Sequence, residues 1–130
     1  MRVLPRRPSR DVLMWFGLFG APFAWALQHI SGVLLTIGQC HDNTAGPAWD
    51  LHQDLWVTVA TATCATVAAL GGLSAVAAWH STRDADDSDP PPAGRVHFLG
   101  IVGLTISPLF LAIILMSGLG SIFLPHCVQS

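Results

Sequence analysis

Charge is what this sequence has least of. Only 11% of its 130 residues are Asp, Glu, Lys or Arg, against 52% hydrophobic, and the mean hydropathy is +0.53. That balance excludes an ordinary water-soluble domain and puts a membrane class first. None of the four charged residue types occurs in 12–40, 55–79 or 96–128. The three runs therefore contain no carboxylate for acid–base work, and nowhere does a serine or cysteine stand beside a positioned base or a glycine-rich loop offer a phosphate cradle. An enzyme is not expected. The basic residues form no patch interleaved with aromatics, so nucleic acid is not an expected partner. The spans also lack the polar lining and internal repeat of a self-sufficient transporter or channel.

Each charge-free run exceeds the roughly 18–20 residues that cross a ~30 Å hydrocarbon layer at 1.5 Å per residue. In that layer backbone N–H and C=O groups must pair within their own segment, so the runs read as helices whatever their intrinsic propensities. The expected fold is all-α: an integral membrane bundle of three helices over about 12–38, 55–79 and 96–124, forming one transmembrane domain. The segment 80–95, with a run of aspartates and three prolines, buries too little apolar surface to order itself and reads as a flexible inner loop. A cleaved leader is the alternative for the first run, since arginines precede it and Ala24-Trp25-Ala26 fits a small-x-small cleavage pattern. The run continues well past that point, whereas a leader's apolar stretch is about 7–15 residues long, so retention as a helix is expected.

Every basic residue is an arginine: Arg2, Arg6, Arg7 and Arg10 before the first run, Arg83 and Arg95 between the second and third. The segment 41–54 has none. The positive-inside rule then puts the N-terminus and the 80–95 loop in the cytoplasm, and the first loop and C-terminus on the opposite, oxidising side.

Within the spans a few residues stand out. Pro22 and Pro108 each lack the N–H that closes a helical turn, and both fall about 15–18 Å from the inner end, where two kinks at one depth could frame a cavity. His29, next to Gln28, is the one ionisable side chain well inside a span; haem ligation, a proton path and a hydrogen bond to a neighbouring subunit are its functional readings. Haem would need a second axial ligand at the same depth, and His52, His80, His97 and His126 all lie near one surface or the other. No cofactor is expected, and a neutral, hydrogen-bonded His29 packed on helix 2 or a partner is preferred. Helix 2 has sixteen of its twenty-five positions filled by Ala, Gly, Ser, Thr or Cys, including Gly71 and Gly72. Small residues gain little from lipid but let backbones approach closely, so part of this helix is expected to face another protein.

At the outer ends, Cys40-His41 closes helix 1 and His126-Cys127 closes helix 3, while Cys64 falls mid-span as a small packing residue. A Cys40–Cys127 disulfide is the first reading in an oxidising compartment. A copper or zinc site built from Cys40, His41, His52, His126 and Cys127 is the rival, and free thiols are the third possibility, although no CxxC is present.

Two stretches, GLFGAPFAWALQH running on to Cys40 and RVHFLGIVGLTISPLFLAIIL running on to LPHC, resemble a group of small bacterial membrane proteins whose genes lie beside those of haem-copper cytochrome c oxidases. The resemblance covers the two outer helices, about half of the chain, at Gly20, Pro22, Ala24, Trp25, Cys40, Arg95, Phe98, Gly103, Ser107, Phe110 and Cys127. Pro108 and the histidines beside the two cysteines depart from the pattern. The resemblance implies association with a respiratory terminal oxidase in the bacterial cytoplasmic membrane, and with the packed, charge-free helices it makes a non-catalytic accessory or assembly subunit the first reading; the helices themselves offer Pro22, Trp25, His29, Gly71, Gly72, Ser107 and Pro108 as packing or partner contacts. Two other readings stand beside it: a periplasm-facing copper-binding or thiol-redox maturation factor, and an accessory subunit of another membrane complex such as a photosynthetic one.

Overall fold

The computed structural model describes residues 9–40, 48–86, 88–91 and 93–123, with side chains in all of these but 38–40 and 48–54. The chain is all-helical there: α1 (Arg10–Cys40), α2 (Ala48–Ser81) and α3 (Ala93–Phe123) run up, down and up. Each is long and apolar enough to cross a membrane.

Local chemistry explains where the helices begin. Ser9 caps α1, its Oγ accepting from the Val12 N–H at 3.4 Å, and Asp11 stands in the first turn, where the helix dipole welcomes a carboxylate. The second helix starts seven residues before the expected 55, at Ala48. Absence of charge delimits only the lipid-crossing part of a helix, so α2 can begin several residues before the charge-free run does. After α2 the chain does not run loosely to 95. Backbone N–H groups of Thr82, Ala85 and Asp89 donate to the carbonyls of Trp79, Thr82 and Asp86, the Asp86 N–H donates to Asp89 Oδ2 at 2.9 Å, and α3 begins at Ala93 directly after Pro90-Pro91-Pro92. Aspartate side chains that mimic a backbone turn supply the local order that apolar burial could not.

The packing inverts that of a water-soluble protein. Small residues fill the inside: Gly17, Gly20, Ala21 and Ala24 of α1, Ala68, Gly71, Ala75 and Ala78 of α2, Gly100, Gly103 and Ser107 of α3. Large apolar side chains cover the outside, among them Phe19, Phe23, Leu34, Leu73, Leu109 and Met116. Between helices already surrounded by hydrocarbon there is no hydrophobic gain from burial, so van der Waals contact at close range must hold the bundle, and small residues permit it. A Cβ on Gly17 would sit 2.7 Å from the Ala75 backbone nitrogen, and one on Gly103 would sit 2.9 Å from the Gly17 carbonyl oxygen.

This tight seam is confined to one end. Among the described side chains of α2 every buried residue lies between Ala68 and Ala78, and none lies in 55–67. In α3, Gly94, Val96, Gly100, Gly103 and Ser107 are buried before Pro108, but only Ile114 and Gly118 after it. The helices close where the 82–92 loop joins them and open toward the other end, where α1 finishes and α2 begins.

Candidate functional site: a polar cleft at the wide end

The opening is a cleft of about 300 Å³ between all three helices. Residues from Gln28 to Ile37 of α1, from Val57 to Thr61 of α2, and Ser117 and Ser121 of α3 line it. Its lining includes an amide, an imidazole and the hydroxyls of Ser31, Thr36, Thr61, Ser117 and Ser121.

At its floor lies Gln28, only 8% exposed. Its Nε2 donates to the main-chain carbonyl of Ile114 at 3.0 Å and to Thr61 Oγ1 at 3.1 Å, so one amide links α1 to both other helices. A carbonyl can only accept, which fixes the nitrogen toward Ile114 and leaves Oε1 as the amide's acceptor. Among the described residues nothing pairs with that oxygen. Gly118 makes the clamp possible, because a Cβ there would run into the Thr61 side chain, 2.7 Å from its Oγ1. The hydroxyls of Ser31, Thr36 and Ser121 donate back to the carbonyls of Gln28, Gly32 and Ser117, so they turn only lone pairs outward.

His29 stands at the cleft wall, exposed, with Val57, Ala60 and Thr61 of α2 on the facing side. Its ring stacks on Trp25 at 5.7 Å and 23°, and Trp25 packs in turn on Phe110 of α3 at 5.5 Å. The expected hydrogen-bonded, packed histidine is therefore not what α2 provides: the imidazole has a ring neighbour on its own helix and no hydrogen bond among the described residues.

The other singled-out residues fall as follows. Pro22 is half-buried and Pro108 exposed, and neither lines the cleft, which begins at Gln28, six residues or ~9 Å along α1 from Pro22. The prolines thus stand beside the cavity and do not frame it. Gly71 and Gly72 pack inside the bundle, Gly71 against Gly20, Ala21 and Phe16, and Gly72 against Ser107. Gly71 consequently offers nothing to a partner. Ser107 is buried, its Oγ donating to the Gly17 carbonyl at 3.3 Å. Cys64 is a half-buried free thiol against the central cluster of Ala21, Ala24, Ala68 and Ile114, a packing role as expected. His41, His126 and Cys127 lie outside the described residues, as do the side chains of Cys40 and His52. Among the described residues there is no group of three or more His, Cys, Asp or Glu that could hold a metal ion.

No protein-family model, curated protein or solved structure matches the chain. The site must be read from its own chemistry. Gln28 is the residue that sequence reading passed over, naming it only as the neighbour of His29. The available signal was an amide in a charge-free run, which must find partners on another helix or remain unsatisfied in hydrocarbon.

Proposed function

We propose that this chain is a non-catalytic accessory or assembly subunit of a larger membrane complex, a haem-copper cytochrome c oxidase in a bacterial cytoplasmic membrane, with its N-terminus inside and its C-terminus outside. The observation that carries the docking role is the outward side of α2. After Gly71, Ala75 and Ala78 are buried in the bundle, Ala62, Thr63, Thr66, Ala69 and Ala77 remain exposed. The Thr63 and Thr66 hydroxyls donate to the carbonyls of Val59 and Ala62, so from 62 to 69 this face offers no unpaired polar group and no exposed bulky side chain, with Leu70 and Leu73 following beyond it. Lipid gains little from such a surface, whereas another helix can approach its backbone closely. The arginine distribution supports the orientation, and the resemblance of helices 1 and 3 supports the oxidase.

Gentle solubilisation of native membranes followed by identification of co-purifying subunits tests the reading. Oxidase subunits should come along, and Ala62→Leu or Ala69→Leu should release them while the bundle remains inserted. A chain that leaves the native membrane alone sinks the accessory-subunit reading; one that leaves with a different complex sinks the oxidase.

A further inference from the structure

The cleft holds more polar capacity than the described residues satisfy. Gln28 is buried beyond nine-tenths; among the described residues its Oε1 is unpaired, the Thr61 hydroxyl accepts from Gln28 without donating, and the His29 imidazole has only ring contact. Unpaired polar groups inside hydrocarbon cost several kcal/mol each, so whatever fills this space must both donate and accept hydrogen bonds. A lipid acyl chain can do neither. Water does both, and 300 Å³ has room for on the order of ten molecules at ~30 Å³ each. The other end is closed, with Gly17, Ala75 and Gly103 in backbone-close contact and Met14, Ala78 and Val96 forming an apolar cluster.

We propose that the cleft is an aqueous half-channel: water enters at the end carrying the 41–47 segment, reaches Gln28 and His29, and stops there. His29 is the one titratable side chain among the cleft-lining residues of α1, α2 and α3, and no Asp, Glu, Lys or Arg lines the space. Gln28 positions the innermost water by accepting from it. This rests on the membrane-spanning part of the reading above and is independent of which complex the chain joins.

Radiolytic hydroxyl-radical footprinting of the unaltered protein in native membranes tests it, because modification requires water beside the side chain. Met116 is 65% exposed on the outer surface of α3 and intrinsically more reactive than histidine, while Met14 is buried at the closed end. Modification of His29 with both methionines spared is the expected result. An unmodified His29 overturns the half-channel; modification of Met116 together with His29 overturns the membrane placement on which it rests. In a chain without its native cysteines, Ser31→Cys and Ser117→Cys should react with a charged, impermeant methanethiosulfonate added on the 41–47 side, and Leu34→Cys and Ile113→Cys should not. Equal reaction at the four positions, or reaction from the opposite side, defeats the proposal.

Discussion

Gln28 Nε2 lies 3.0 Å from the main-chain oxygen of Ile114, a residue 86 positions away in sequence. That bond and its companion to Thr61 are the polar link among the three helices at the level where the glycine-rich seam gives out. Interhelical hydrogen bonds in membranes average about 0.6 kcal/mol each, with a maximum near 1.7. Gln28→Ala should therefore cost about 1 kcal/mol, and Thr61→Val about half as much. Reversible unfolding in mixed micelles with increasing SDS reads both, and two wild-type midpoints would show that the amide carries no stability.

The glycine seam gives a sharper contrast. Gly17→Ala sets a Cβ 2.7 and 2.8 Å from the nitrogen and Cα of Ala75, backbone atoms that cannot turn aside. Overpacking of this kind costs about 1–3 kcal/mol. Nothing lies within 4 Å of a Cβ on Gly32, so Gly32→Ala should be neutral in the same unfolding assay. Gly71→Leu belongs with the first group: its Cβ starts 3.4 Å from the Ala21 nitrogen, and the damage should appear in the isolated bundle before any partner is involved.

The arginine distribution predicts the orientation. In a chain lacking native cysteines, Thr44→Cys and Gln129→Cys should react with an impermeant reagent on intact cells, and Ser88→Cys should not. The opposite labelling pattern reverses the topology.

The cysteine pair is a matter for peptide mapping. Cys40 is the last residue of α1 and Cys127 lies four residues beyond the last residue of α3, and these helices run in the same direction. A Cys40–Cys127 bond would close a loop of more than eighty residues. Chain-entropy models give about 4–5 kcal/mol for such a loop in water, and less is expected where the membrane already confines the helices. Non-reducing digestion should recover the Cys40 and Cys127 peptides joined. Recovery of both as free thiols together with stoichiometric copper or zinc would favour the metal site.

How much could be read in advance depended on the kind of signal. Three helices followed from the absence of charge, because hydrocarbon forces backbone pairing regardless of side chain. The true start of α2 at Ala48 did not, since helical turns outside the lipid tolerate Asp50 and Asp54 and no longer obey that criterion. Helix 2 was legible as a packed helix from its small residues, but which of them face inward was not. Ala, Gly and Thr recur on every side of it, and only three-dimensional packing separates buried Gly71 from exposed Ala69. The cleft was invisible for a related reason: its polar atoms come from hydroxyls and an amide scattered across three spans, none of which alone marks a site.

The Gln28 clamp also bears on how the molecule is assembled. Segments emerge in chain order, so α1 and α2 can meet as a hairpin through Gly17 with Ala75 and Gly20 with Gly71 while α3 is still being made. In that hairpin Gln28 would have Thr61 but no Ile114 carbonyl, and Gly17 would lack the hydroxyl of Ser107. The unfinished protein thus carries two vacant polar valences along one groove, spaced as α3 is spaced. Arrival of the last helix satisfies both in a single register, and a helix slid by one turn would carry the Ser107 hydroxyl away from Gly17 and set Ile114 or Ile122 against Thr61 in place of Gly118.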